Sequence, residues 1–197
     1  MNGMAEKETI REAVTARRRE LDAGWVARSS RAVQEAILSL PELGEAGVVA
    51  CYLALPGEVR TELIVEECRR DGKTVCVPAF DPARAAHGMC RLTADAKLAP
   101  GAFGVMEPQI KEWVDLAAVR AVIVPGLAFD ARGGRIGRGG AHYDRLLRAG
   151  GEPPPAFKVG AAFEFQVWDR VPLEGHDVSV DAVVTEQRTM RCAKRAA

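Results

Sequence analysis

The sequence lacks several features that mark specialised classes of proteins. Its five cysteines are odd in number and form no Cys-x-x-Cys pair, which argues against a zinc site or a disulfide framework. No apolar run approaches the length of a membrane span, and the first ten residues contain no apolar signal region. Lys+Arg and Asp+Glu both number 27, so there is no basic excess for general binding to nucleic acid or membrane surfaces. We therefore expect a cytoplasmic protein whose partners are neither nucleic acid nor membrane.

The length and composition fit an ordinary globular domain. A chain of 197 residues can build one sizeable core but is short for two domains. Hydrophobic residues make up 48% of the chain and charged residues 27%, which is typical of a globular protein. Cys51 and Cys76 lie in apolar, strand-like runs and are interpreted as core residues. We expect a single domain over residues 1–197, as a monomer or weak homodimer.

A strand, a glycine-rich loop and a helix follow one another over residues 121–147. The short apolar run Ala121–Val124 is typical of a strand that is buried on both faces. Five of the residues in 133–140 are glycine, and a helical pattern begins directly after them. Backbone N–H groups in such a loop and at the helix N-terminus can bind a phosphate. Three arginines add positive charge: Arg132, Arg135 and Arg138. The alternative is a flexible surface loop rich in Gly and Arg.

Two common phosphate-binding motifs do not match this loop. The P-loop ends in Gly-Lys-Ser/Thr, whereas Gly139 and Gly140 are followed here by Ala141 and His142. The dinucleotide fingerprint would need a third glycine at the position of His142.

The predicted first helix, residues 6–21, carries a second group of cations. At about 100° per residue, Lys7, Arg11 and Arg18 fall within roughly 40° of one another. Val14 lies in the same arc, so these cations lie on or beside the face that points inward. A solvated basic helix is the alternative, and Arg18 could equally be structural.

Helical and strand patterns alternate along the rest of the chain. The other predicted helices are residues 25–40 and 61–70, and the predicted strands include residues 48–55, 73–77, 89–92, 157–163 and 180–185. This alternation predicts a three-layer α/β domain. Ligands of open α/β sheets bind beyond the carboxyl ends of strands. Leu55 and Glu58, at the end of the first strand, are therefore candidate substrate-binding residues.

The sequence PGLAFD from Pro125, followed by GGRIGRGGAHYDRLL, resembles the signature of the 5-formyltetrahydrofolate cyclo-ligases, also called methenyltetrahydrofolate synthetases. The usual signature reads roughly PG-x-AFD-x-x-G-x-RLGRGGGYYDR-x-L. Four further segments are similar to family motifs: Lys7-x-x-x-Arg11, Glu58-Val59-x-Thr61, the segment from Phe103 to Glu107-Pro108, and HD-x-x-VD-x-VVT from His176. The resemblance implies a family core over residues 6–186, with 187–197 as a basic, frayed tail. It also implies a mixed, mostly parallel sheet of about six strands, similar to the ribose-5-phosphate isomerase and CoA-transferase folds.

The resemblance implies an ATP- and Mg²⁺-dependent ligase. The family transfers the ATP γ-phosphoryl group to the formyl oxygen of 5-formyltetrahydrofolate, which makes that oxygen a good leaving group. Ring closure by N10 then gives 5,10-methenyltetrahydrofolate, ADP and phosphate. The partners would therefore be two small molecules, with Mg²⁺ as the cofactor. Phosphoryl transfer depends mainly on positioning and charge neutralisation, which the glycine loop and the cations can provide.

The resemblance also implies roles for individual residues. The ATP-binding residues would be Lys7, Arg11, Arg135, Ile136, Gly137, Arg138, Gly139, Gly140, Ala141, His142 and Tyr143. The substrate-binding residues would be Leu55, Glu58, Arg60, Phe103, Glu107, Gly139, Gly140 and His142. Arg138 and Tyr143 would be catalytic, and Asp144 and Asp177 would bind the metal. From physics alone, Asp144 is equally a helix N-terminal acid, and Phe103 is equally a core residue.

Three positions depart from the family pattern. Arg60 stands where relatives often have an acidic residue, Ala141 replaces the last loop glycine, and His142 replaces an aromatic residue. We expect Ala141 to begin the helix without a positive φ angle, and we expect His142 to make a ring contact. Two alternatives remain open: a non-catalytic paralogue that binds folate or nucleotide, and a sugar-phosphate isomerase that needs no ATP.

Overall fold

The computed structural model describes residues 3–101, 104–139, 143, 145–146, 156–175 and 177–192. The helices in these ranges are α1 (Gly3–Arg19), α2 (Ala23–Leu38), α3 (Pro41–Glu45) and α4 (Glu62–Arg70). The strands are β1 (Val48–Ala50), β2 (Thr74–Asp81), β3 (Ala86–Arg91), β4 (Leu98–Pro100), β5 (Met106–Pro108), β6 (Trp113–Val114), β7 (Ala121–Val124), β8 (Ala128–Asp130), β9 (Arg135–Ile136), β10 (Phe157–Ala161), β11 (Val167–Trp168), β12 (Ala182–Val184) and β13 (Thr189–Arg191). No helix within these ranges is long and apolar enough to cross a membrane.

Eight of the described strands form the central sheet, in the order β13-β12-β10-β7-β1-β2-β3-β6. The strands from β12 to β2 are parallel, and β13, β3 and β6 pair antiparallel at the two sides. A mostly parallel mixed sheet is therefore confirmed. It exceeds the six expected strands by two, because the short strands β6 and β13 pair with β3 and β12 at the two edges of the sheet.

Apolar side chains cover both faces of this sheet. Val49 of β1 belongs to one cluster, which contains Ile37 of α2 and Ile64 of α4. The next residue, Ala50, belongs to a second cluster, which contains the helical Leu146. Successive strand residues thus point to opposite faces, and helical residues pack on each of them. This arrangement agrees with the three-layer α/β class.

A small sheet with the order β11-β8-β9 lies beside the central sheet and supports α1. Ile10 and Val14 of α1 are buried in one cluster with Ala128 of β8 and Ile136 of β9. Because β9 enters the glycine-rich loop, this packing holds the polar side of α1 next to that loop.

Several element boundaries differ from the sequence-based expectations. α2 ends at Leu38, and Pro41 begins α3 instead of ending α2, because proline is well tolerated in the first turn of a helix. β2 continues through Pro78 to Asp81. The expectation of a frayed tail is wrong for residues 189–191, because β13 pairs with β12 and Met190 packs against the second cluster.

Candidate active site

Residues of α1 line two neighbouring clefts. The first, of about 530 Å³, is called the loop cleft; its lining includes Lys7, Glu8, Arg11, Arg135, Ile136, Gly137, Gly139, Glu174 and Asp177. The second, of about 760 Å³, is called the arginine cleft; its lining includes Arg11, Arg18, Arg19, Pro56, Gly57, Arg60 and Arg138. Glu8 and Arg11 line both clefts, so the two clefts adjoin along α1.

Opposite charges meet in the loop cleft. The Nζ atom of Lys7 lies 2.7 Å from Asp177 Oδ2 and 3.1 Å from Glu174 Oε1. Burial by itself lowers the pKa of Lys7, but hydrogen bonds to the two carboxylates and their charges outweigh it, so the pKa is raised overall. Lys7 is therefore a firmly charged ammonium group close to the glycine loop.

The glycine loop is attached to α1 by a hydrogen bond and contains a backbone conformation that favours glycine. Arg11 Nε donates a hydrogen bond to the carbonyl oxygen of Gly137 at 3.1 Å. Gly139 has a φ of 100°, a conformation that favours glycine. A side chain at this position of the loop would therefore strain the backbone.

Asp130 fixes the base of the loop. Its side chain is buried, with Oδ1 accepting hydrogen bonds from the backbone N–H groups of Arg132 at 2.9 Å and Gly134 at 2.8 Å. Its Oδ2 accepts from the N–H of Val171 at 3.1 Å. Between them, Gly133 has a φ of 82°, and a Cβ there would lie 2.2 Å from the carbonyl oxygen of Val180. The chain therefore enters the loop through a rigid turn.

Glu58 contacts an arginine of the arginine cleft and the segment that follows β1. Its buried carboxylate accepts from Arg138 Nη2 at 3.1 Å and from the N–H of Leu55 at 3.0 Å. Arg18 lies 3.5 Å away and also donates to the carbonyl oxygen of Gly126 at 2.7 Å. Glu58 thus orients two arginines that come from α1 and from the glycine loop.

The phenol of Tyr143 lies near Glu58 and Cys51. Its hydroxyl oxygen is buried and has no hydrogen-bond partner among the described residues. Burial raises the pKa of Tyr143 well above its usual value, and the neighbouring Cys51 and Glu58 raise it further. The phenol is therefore neutral at ordinary pH. An unpartnered buried hydroxyl is costly, and Tyr143 lines neither cleft, so its expected catalytic role stays a prediction.

A family model described as the 5-formyltetrahydrofolate cyclo-ligase family matches residues 3–186. The chain belongs to this family. A 5-formyltetrahydrofolate cyclo-ligase of Saccharomyces cerevisiae is 31% identical over 92% of this chain and 95% of its own length. The solved structure of Aquifex aeolicus 5,10-methenyltetrahydrofolate synthetase has a TM-score of 0.83 and 34% identity, covering 97% of this chain and 95% of its own. A Mycoplasma pneumoniae 5,10-methenyltetrahydrofolate synthetase, at 16% identity, shares the fold, with a TM-score of 0.73 over 92% of this chain and 99% of its own.

Membership of the cyclo-ligase family makes the chain a ligase and confirms the class of enzyme expected from its motifs. It gives no support to a non-catalytic paralogue. Most residues expected to bind ATP line the loop cleft, whereas Arg60 and Arg138 line the arginine cleft.

Other expected site residues lie elsewhere or outside the described ranges. Glu107 lines neither cleft; its buried carboxylate accepts from the N–H of Phe80 at 3.1 Å and from Lys111 at 2.6 Å. Leu55 also lines neither cleft and contributes its backbone N–H to Glu58. Five expected residues lie outside the described part of the chain: Phe103, Gly140, Ala141, His142 and Asp144. The expectations for the φ angle of Ala141 and the ring contact of His142 therefore stay predictions.

Two charged residues of the clefts received no firm role from the sequence. Arg18 shares the helical arc of Lys7 and Arg11, which was the signal for it, and its buried contacts with Gly126 and Glu58 now give it a structural role. Glu174 is three residues before Asp177 and outside the quoted motif, so nothing in the local pattern indicated its contact with Lys7.

Tyr143→Phe should separate catalysis from stability in this cyclo-ligase. The free energy of unfolding should equal or exceed that of wild type, by up to about 1–3 kcal/mol, because the lost hydroxyl is buried and has no partner among the described residues. If the hydroxyl serves a ligand, kcat should fall by about 10- to 100-fold. Urea unfolding and steady-state kinetics measure the two quantities.

The matched control is Tyr52→Phe. The Tyr52 hydroxyl donates to the carbonyl oxygen of Val59 at 2.7 Å, so this variant should lose about 1–2 kcal/mol of stability. Unchanged kinetics in Tyr143→Phe would remove Tyr143 from the catalytic residues.

Proposed function

We propose that the chain converts 5-formyltetrahydrofolate and ATP to 5,10-methenyltetrahydrofolate, ADP and phosphate, with Mg²⁺ as the cofactor. The observation that supports this most is the pair of clefts that meet at Arg11, within a chain of the cyclo-ligase family. Phosphoryl transfer from one bound molecule to another needs two adjoining sites, and two adjoining clefts suit that requirement.

ATP is proposed to bind in the loop cleft. The Gly137 and Gly139 backbone allows close approach of phosphates, and Lys7, Arg11 and Arg135 surround it with positive charge. The hydrogen bond from Arg11 to Gly137 fixes the loop against α1, so the cations and the loop backbone face the same space.

Mg²⁺ is proposed to bind at Asp177. The metal prefers oxygen ligands, often one or two carboxylates together with phosphates and water, and Asp177 lies in the loop cleft. The Lys7 ammonium lies 2.7 Å from Asp177 Oδ2, which indicates that this position favours a cation. The described residues hold no group of three or more His, Cys, Asp or Glu suited to a metal, which fits a site completed by phosphates and by Asp144. When bound, Mg²⁺ would neutralise charge on the transferred phosphoryl group.

The folate is proposed to approach from the arginine cleft. Arg60 and Arg138 can attract its carboxylates, while Leu21, Val26 and Leu127 supply apolar wall for its rings. Arg138 belongs to the glycine loop, lines this cleft and contacts Glu58, so it connects the loop to the proposed folate site. The departure at Arg60 thus adds charge that favours an anionic substrate.

Within this site, Arg138 would stabilise negative charge on the transferring phosphoryl group, and the neutral Tyr143 would donate a hydrogen bond. The nearby Cys51 is unsuited to nucleophilic catalysis, because burial raises the pKa of its thiol to about 12. The chemistry therefore rests on direct phosphoryl transfer between the two substrates, without a covalent enzyme intermediate.

A spectroscopic assay tests the proposal. Purified protein with 5-formyltetrahydrofolate, ATP and Mg²⁺ should produce the methenyl product, and excess chelator should stop its formation. A calorimetric titration with each substrate should accompany it. Binding of both substrates without any product, at any Mg²⁺ concentration, would instead identify a non-catalytic paralogue. Product without ATP would rule out the proposed mechanism.

A further inference from the structure

The ammonium group of Lys7 occupies a position between two carboxylates in the loop cleft. The Lys7 side chain is 8% exposed, that of Asp177 is 11% exposed, and that of Glu174 is 43% exposed. Asp177 Oδ2, which lies 2.7 Å from Lys7 Nζ, also accepts a hydrogen bond from the N–H of Glu174 at 2.8 Å. The same carboxylate oxygen therefore holds both the lysine and the turn that carries Glu174.

This contact conflicts with the role proposed for the same carboxylate. Mg²⁺ binds oxygen at about 2.0–2.1 Å, and an ammonium on the same oxygen would face the metal at close range. Two positive charges at that distance repel each other strongly in a partly buried site. Lys7 and a metal therefore cannot both make their best contact with Asp177 Oδ2.

We propose that Lys7 is an internal cation that fills the metal position at Asp177 before substrates bind and leaves it when the metal–nucleotide complex enters. This inference rests on the proposed binding of ATP and Mg²⁺ in the loop cleft. Glu174 holds the second contact of Lys7 and is more exposed, so it can retain the lysine at the edge of the cleft while Asp177 is released. Glu174 is thus a positioning residue for Lys7.

The consequence is an order of binding. The metal alone must displace a buried, hydrogen-bonded ammonium without offering it a new partner, so it binds weakly. Nucleotide phosphates supply that partner, so metal and nucleotide favour each other's binding. Such coupling is reciprocal and is typically 5- to 150-fold in affinity.

Binding of Mn²⁺ in the absence of nucleotide tests this proposal, because it needs no turnover. Electron paramagnetic resonance can measure free Mn²⁺ with wild type, Lys7→Met, Lys7→Arg and Lys97→Met. Lys7→Met should bind Mn²⁺ at least about tenfold more tightly than wild type. Lys7→Arg keeps a cation and should bind as weakly as wild type. Lys97→Met removes the same charge from an exposed position outside both clefts and should also match wild type.

A second substitution identifies the binding position. Adding Asp177→Asn to Lys7→Met should abolish the gain in Mn²⁺ affinity. If Lys7→Met and wild type bind Mn²⁺ equally and Asp177→Asn abolishes that binding, the proposed role of Lys7 as an internal cation is wrong. The proposed metal site at Asp177 would then still hold. Tight Mn²⁺ binding that survives Asp177→Asn would overturn both. Lys7→Gln, which retains hydrogen-bond donors for both carboxylates, replaces Lys7→Met if that variant does not fold.

Discussion

Arg138→Ala should lower kcat by about 10²- to 10³-fold, the usual effect of removing one donor that stabilises transition-state charge. Arg138 is the loop arginine that contacts Glu58, at 3.1 Å, and it lines the cleft proposed for the folate. It belongs to the same loop as Gly137 and Gly139, which line the cleft proposed for ATP, so we expect the guanidinium to reach the phosphoryl group during transfer. Because its side chain is 56% exposed, the loss should appear in kcat with little change in stability.

Arg132→Ala is the matched control for this prediction. Arg132 belongs to the same loop region and has a comparably exposed side chain, but it contacts Asp130 and lines neither cleft. Its kcat should stay within about twofold of wild type, because Arg132 lines neither of the clefts proposed to bind the substrates. Equal losses in the two variants would show that loop charge in general, and not the position of Arg138, matters for turnover.

Asp130→Ala should lower the free energy of unfolding by about 3–5 kcal/mol, because it leaves several buried backbone N–H groups without an acceptor. Asp130 is 1% exposed and accepts from three backbone N–H groups, those of Arg132, Gly134 and Val171. Water cannot easily replace it, since the turn packs against Val180 and leaves no room for even a Cβ at Gly133. Urea unfolding at neutral pH measures the change.

Asp115→Ala provides the comparison for Asp130. Asp115 accepts a hydrogen bond from the N–H of Ala117 at 3.0 Å in a similar local turn, but it is exposed. Its loss should cost about 1 kcal/mol. If both variants lose the same stability, burial of the Asp130 network contributes nothing beyond a local turn.

Local sequence patterns predicted the parts of the site that lie on one element. The helical period placed Lys7, Arg11 and Arg18 on one side of α1, and the glycine loop was evident from its composition. The family motif linked these two segments. Local patterns could not predict the contact between Glu58 and Arg138, which are 80 residues apart. That contact depends on how the loops fold over the sheet.

The edges of the fold were harder to predict for a different reason. Proline usually interrupts a strand. Strand β2 nevertheless continues through Pro78, because pairing with β3 in the hairpin keeps the backbone extended. Residues 189–191 look like a polar tail, and their pairing with β12 depends on the partner strand more than on their own composition. In both cases the decisive interactions lie outside the local pattern.

The position of α1 determines when the site can exist during synthesis. Lys7 bonds to residues 167 and 170 positions later, and Arg11 bonds to a residue 126 positions later. The ribosome therefore synthesises this helix well before its partners. Contacts of such long sequence separation form slowly, because the intervening chain must first be ordered. The proposed nucleotide site therefore cannot be completed in a nascent chain until Asp177 has emerged from the ribosome.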